Sequence, residues 1–199
     1  AKLLPALIRD WRTKWNQGPL PFLNVQLPGY MDYNYLLVES NWAVMRESQL
    51  KALSVENTAM VVAIDLGEWN DVHPDNKKTV GDRLALAAIK TAYGENNVYS
   101  GPLAQDVTAD GNKLIIRFTH TGAGLTTSDD EAPAEFAIAG ADKKFVWAKA
   151  RIEGEKIIVW NDQVIQPLYV RYAWADNPVN PNLFNKEGLP ASPFQLSTR

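Results

Sequence analysis

Thr58-Ala59-Met60-Val61-Val62-Ala63-Ile64 is a continuous apolar run, followed directly by Asp65-Leu66-Gly67-Glu68-Trp69-Asn70-Asp71-Val72-His73-Pro74. The run is bounded by turn-like sequence and shows no alternation, so it reads as a strand covered on both faces of a parallel sheet. The polar stretch leads into an amphipathic helix over Asn76 to Tyr93, carrying Val80, Leu84, Ala87, Ala88 and Ile89 and ended by Gly94. A loop at the C-terminal end of a parallel strand is where open α/β sheets place their ligand sites.

Upstream, Leu3, Leu4, Leu7, Ile8, Trp11 and Trp15 recur at helical spacing, and Asn16-Gln17-Gly18 stops that helix. Pro21-Phe22-Leu23-Asn24-Val25-Gln26-Leu27 reads as a strand closed by Pro28-Gly29. Asn41 is placed to cap a second helix running to about Leu53. This half supplies two confident strands, whereas a doubly wound sheet has about five or six. Either the sheet takes strands from the second half, or the chain is part of a longer one. The second is expected.

Downstream the period changes to two. Leu114, Ile116 and Phe118 share one face of a strand over Lys113 to His120, and further strands are predicted over 136–138, 145–152, 156–160 and 168–174. Ala109-Asp110-Gly111-Asn112 and Glu153-Gly154-Glu155 are hairpin turns. Strands at this spacing without helices predict an antiparallel β-sandwich. The Pro- and Asn-rich stretch from Ala175 to Arg199 is expected as irregular coil. With a boundary near Gly94 to Gly101, the predicted class is α/β plus all-β. An incomplete parallel α/β part covers 1–98, and an antiparallel β-sandwich domain covers 99–199.

Composition narrows the function. Lys and Arg total 20 against 23 Asp and Glu, so there is no basic field for nucleic acid. No apolar run approaches the roughly 20 residues that span a bilayer, so no membrane partner is expected. Ala1-Lys2-Leu3-Leu4-Pro5 has no signal-peptide pattern, and none is expected there. The absence of cysteine removes disulfide scaffolds, thiolate zinc sites and cysteine nucleophiles. His73 and His120 are the only histidines, so no multi-histidine metal site and no cofactor are predicted.

The loop after the apolar strand gathers acids around His73. A histidine there can act as general base, since its unperturbed pKa of roughly 6.5 lies near working pH. A carboxylate on the far nitrogen would fix the tautomer and stabilise the imidazolium. Asp71, two residues before His73, is the nearest candidate, and Asp65 at the strand end is the second. The competing reading has His73 capping the helix that starts near Asp75-Asn76. Trp69 lies in the same loop. Asp32, Tyr33, Asn34 and Tyr35 follow the first strand at the same end of the sheet, where they could line a sugar pocket. Most aromatics are expected in the core, and Arg46, Glu47 and Arg83 in ion pairs on helix surfaces. His120 is given no role.

Leu7-Ile8-Arg9-Asp10-Trp11-Arg12, Pro21-Phe22-Leu23, Val25-Gln26-Leu27-Pro28 and Arg46-Glu47-Ser48-Gln49 resemble, in order, segments of the sialate O-acetylesterase family. So do Asp71-Val72-His73-Pro74 with Lys77, Val80-Gly81-Asp82-Arg83-Leu84-Ala85-Leu86 and Gly101-Pro102. Val170-Arg171-Tyr172-Ala173-Trp174, Asn182-Leu183-Phe184-Asn185 and Gly188-Leu189-Pro190-Ala191-Ser192-Pro193-Phe194 complete a resemblance that spans nearly the whole chain. It implies an SGNH (GDSL-type) serine hydrolase with a flavodoxin-like sheet. The implied reaction is Ser-His-Asp hydrolysis of acetyl esters on sugars, typically the 9-O-acetyl group of sialic acid. His73 matches the family's catalytic histidine and Asp71 the acidic position just before it.

The wider SGNH pattern has Asp three residues before the histidine, where this chain has Asn70, so the acid stays open between Asp71 and Asp65. The family's Gly-Gln-Ser-type nucleophile segment and its oxyanion-hole Gly and Asn have no counterpart here. Glu39-Ser40-Asn41 echoes a family segment out of order and reads as a helix cap, and there is no G-x-S-x-G elbow. The resemblance therefore implies the C-terminal portion of an acetylesterase with His73 and Asp71 catalytic; the loop positions add Trp69 and Tyr33 as substrate contacts, against a solvated loop for Tyr33, and no metal is expected. Its implied partners are an O-acetylated sialic acid or other acetylated sugar, and the missing N-terminal part of the same protein. The implied location is extracytoplasmic, whether secreted, periplasmic or lysosomal. The alternative is a non-catalytic β-sandwich module that binds glycans or packs against other domains.

Overall fold

In the computed structural model, which describes residues 2–198, two parallel strands carry the apolar run: β1 (Phe22–Val25) and β2 (Thr58–Val61). Ala1 and Arg199, the outermost residues of the N-terminal reading and of the expected coil, lie outside the described residues. α2 (Asn41–Leu50), prolonged by a 3-10 turn over Lys51–Ser54, connects the two strands. α3 (Lys77–Thr91) packs through Ala87 and Leu84 on Ala59 and Val61. Met60, Val62 and Ile64 meet Leu50 and Leu53 instead. Both faces of β2 are thus covered, as an unbroken apolar strand requires.

The sheet takes no strand from the second half; its order is β1-β2 among the described residues. On the edge of β1 away from β2, a side chain occupies the place of a neighbouring peptide. Gln49 Nε2 donates to Val25 O at 3.2 Å, and the Leu27 N–H donates to Gln49 Oε1 at 3.0 Å. α1 (Leu3–Trp15) follows its predicted period but buries only Pro5 and Ile8 among its described residues. Leu3, Leu7, Trp11 and Trp15 form an exposed stripe. Trp69, the exception to the expected burial of aromatics, is exposed, and so, against that expectation, are Trp11, Trp15 and Trp147. No second layer covers the α1 stripe, Trp69 stands on a loop, and Trp147 lies on an edge strand.

The remainder is antiparallel, giving a mixed α/β protein with several antiparallel sheets. β3 (Leu103–Asp110), β4 (Lys113–Thr119), β9 (Lys156–Trp160) and β8 (Lys149–Glu153) pair in that order. β12 (Phe194–Ser197), β10 (Tyr169–Tyr172), β6 (Phe136–Ala139) and β7 (Val146–Trp147) form a second sheet, and β5 (Leu125–Thr127) pairs with β11 (Leu183–Asn185). One buried cluster joins the two larger sheets: Leu114, Ile116, Ile157 and Val159 from one, Phe136, Ile138, Val170, Tyr172 and Phe194 from the other.

Two sequence expectations are corrected here. The strand expected over 145–152 breaks at Ala148 into β7 and β8, which join different sheets. The stretch after Trp174 is not irregular throughout: it holds β11 and β12, and Leu183, Asn185 and Ala191 have no solvent exposure. These strands are three and four residues long, too short to show a period among Pro and Asn. Among the described residues, no helix is long and apolar enough to cross a membrane.

Candidate functional site

The loop from Asp65 to Pro74 leaves the end of β2 and closes on the N-terminus of α3. Asn76 caps that helix, its side chain accepting the Thr79 N–H at 3.1 Å, so the capping role read for His73 falls to Asn76. His73 instead faces Asp71, with Nδ1 to Oδ1 at 3.0 Å. The same Oδ1 accepts the His73 backbone N–H at 2.8 Å, a local Asx turn that carries the carboxylate to the ring. That backbone bond first, and the imidazole second, hold the Asp71 carboxyl below its usual range. The side chains are 79% and 56% exposed, so the imidazole projects into solvent with Nε2 turned away from Asp71.

Asp65, the other candidate acid, is engaged elsewhere. Arg83 grips it with two hydrogen bonds, at 2.7 and 2.6 Å, and also donates to Val62 O at 2.8 Å. The expectation that Arg46 and Arg83 sit on helix surfaces is overturned, since both are buried. Arg46 donates to four carbonyls: Leu27 at 2.9 Å, Pro28 at 2.6 Å, Ala175 at 2.6 Å and Asp176 at 2.8 Å. These carbonyls lie just past the ends of β1 and β10, and one guanidinium satisfies them together. Its burial pushes Arg46 down to about 9. Glu47 does form the surface pair expected of it, with Lys51 at 3.0 Å.

The loops after the two parallel strands lie against each other. Tyr30 and Glu68 form a parallel bridge, and a Cβ on Gly67 would collide with the backbone of Gly29. The first of these loops is also tied to the segment after β10. Asn34 Oδ1 accepts the N–H groups of Asp176 (3.0 Å) and Asn177 (3.2 Å), and Asn177 Nδ2 donates to Met31 O at 2.7 Å. Ser40 caps α2, accepting the Ala43 N–H at 2.9 Å and donating to Asp176 Oδ1 at 2.6 Å. Tyr33 and Trp69 stand exposed on these two adjoining loops. Sequence reasoning missed the roles of Arg46 and Arg83, whose acceptors lie 18 to 130 positions away in the chain. Among the described residues, no three His, Asp or Glu side chains converge as a metal-binding group.

No protein-family model matches the chain. Among curated proteins it is 29% identical to the sialate O-acetylesterase of Mus musculus, over 99% of this chain and 41% of that protein. It is 27% identical to the sialate O-acetylesterase of Homo sapiens, over 96% of this chain and 41% of that protein. Among solved structures, a carbohydrate acetylesterase from Xanthomonas citri is 44% identical with a TM-score of 0.91, covering 98% of this chain and 45% of that one. The chain spans about two fifths of the length of the curated relatives it matches. Along nearly all of its own length, this chain is homologous to part of the sialate O-acetylesterases.

Proposed function

We propose that this chain is the C-terminal, His/Asp-bearing portion of an SGNH-type acetylesterase acting on O-acetylated sugars, typically the 9-O-acetyl group of sialic acid. The carrying observation is the His73–Asp71 contact beyond the end of β2, in a chain homologous to sialate O-acetylesterases. The hydroxyl of a serine outside these 199 residues attacks the acetyl carbonyl carbon, and His73 Nε2 takes its proton. Ionised Asp71 keeps the proton of the imidazole on Nδ1 and stabilises the imidazolium. His73 then gives the proton to the departing sugar oxygen as the ester C–O bond breaks. Water, deprotonated by the same nitrogen, releases acetate from the acyl-serine. The oxyanion donors also lie outside the chain, each worth about 3 kcal/mol in comparable sites. Trp69 and Tyr33 offer exposed faces to the sugar ring.

In this reading residues 1–98 belong to a flavodoxin-like sheet continued by the missing N-terminal part, and 99–199 form a β-sandwich domain. The two-stranded parallel sheet and the exposed α1 stripe support that continuation. The location is extracytoplasmic. Acetyl release from 4-nitrophenyl acetate and 9-O-acetylated sialic acid by this chain tests the reading. No release above a His73→Ala control is expected. Release abolished by His73→Ala would put the nucleophile inside these residues and overturn it.

A further inference from the structure

Away from the His73 loop, a cavity of about 340 Å³ opens where the loop after β1 meets the antiparallel half, lined by Asn34, Tyr35, Glu135, Phe136, Trp147 and Val179 among others. Tyr35 is 70% and Trp147 40% exposed, so both rings are open to whatever enters. Trp147 ends the edge strand β7 and also borders a second hollow beside Asn161 and Lys149. Glu135 Oε1 accepts the Asn180 N–H at 3.1 Å, while its Oε2 is screened from solvent and has no partner among the described residues. Burial pushes the Glu135 carboxyl up. No Lys, Arg or His is among the lining residues.

We propose that this cavity is a subsite for a neutral pyranose, a sugar of the glycan other than the acetylated one. The inference rests on the acetylated-sugar reading for its ligand class, and not on the ester chemistry. Aromatic faces receive the apolar C–H face of a sugar ring, and an amide such as that of Asn34 receives its hydroxyls. The volume is that of a small ligand pocket and suits one ring. An acid with no cation beside it disfavours an anionic occupant, so sialic acid itself is not the sugar that fits.

The chain is titrated with cellobiose, xylobiose, lactose and N-acetylneuraminic acid, following the Trp147 indole N–H and the Glu135 and Phe136 amides by NMR. At least one neutral disaccharide is expected to shift all three saturably, and N-acetylneuraminic acid to shift none. Trp147→Ala should weaken that binding about threefold to tenfold, and so should Tyr35→Ala, on an exposed loop where folding is not at stake. Silence with every neutral sugar, wild-type affinity in both variants, or equal binding of N-acetylneuraminic acid would overturn the subsite. His73→Ala is expected to bind these sugars as wild type does. Lost sugar binding beside intact His73-dependent chemistry in the longer protein therefore counts against the subsite alone, and the converse against the esterase reading alone.

Discussion

Arg83 holds both carboxylate oxygens of Asp65, Nη1 to Oδ1 at 2.7 Å and Nη2 to Oδ2 at 2.6 Å. The fork ties α3 to the end of β2 and leaves Asp71 as the acid bonded to His73. Two aspartates six residues apart thus do different work: one holds the strand end, the other holds the imidazole.

Exchanging each for its amide separates the two roles. Asp65→Asn leaves the buried Arg83 without a counter-charge and should lower the unfolding free energy by about 3 kcal/mol in urea. Asp71→Asn should lower the urea midpoint far less than Asp65→Asn while altering the ¹⁵N shifts of the His73 ring, because the amide loses the preference for Nδ1–H. A stable Asp65→Asn protein with disturbed His73 signals would reverse the assignment.

Two glycines give opposite outcomes with alanine. Gly67 has the backbone of Gly29 where a Cβ would go, so Gly67→Ala must part the two loops and is expected to lower the melting temperature and shift the Tyr33 and Trp69 signals. Gly81 lies inside α3 with open space around it. Gly81→Ala should raise stability by about 0.5–1 kcal/mol through helix propensity.

Arg46→Ala leaves Leu27 O and Ala175 O without a donor and removes one of two donors from Pro28 O, kept by Trp42, and Asp176 O, kept by the Tyr30 N–H. Unfolding by urea should show a loss of about 3 kcal/mol or more. Arg46→Lys should recover only part of it, since an ammonium lacks the planar fork that reaches Leu27, Pro28, Ala175 and Asp176 together.

The Asp71 carboxyl should titrate below its ordinary 3.8 when followed by carboxyl ¹³C NMR. A depressed carboxylate contributes its stabilisation above the unfolded pKa and loses it as pH falls through the folded one. Asp71 therefore stays ionised throughout the range in which a histidine works. In His73→Ala the midpoint should rise but remain low, because the backbone N–H, the larger cause, is kept.

What was legible in the sequence is what depends on near neighbours. The unbroken apolar run announced a doubly covered strand, and the hairpins at Gly111 and Gly154 sit at φ +59° and +61°, where glycine is favoured. The His73–Asp71 contact spans two residues and needs no tertiary fold. The burial of Arg46 was illegible because its acceptors include Ala175, 129 positions away, and charge alone argues for the surface. The fork from Arg83 to Asp65 depends on how α3 docks on β2. The strands β11 and β12 exist because Asn185, Leu183 and Phe194 find partners across the fold, not through any period of their own.

The most direct test is the rate of acetyl release from 9-O-acetylated sialic acid by the proposed longer protein, this chain joined to its N-terminal part, against its His73→Ala form. If His73 is the base, the rate falls by roughly three or more orders of magnitude in the variant. Equal rates in the two proteins would contradict the account.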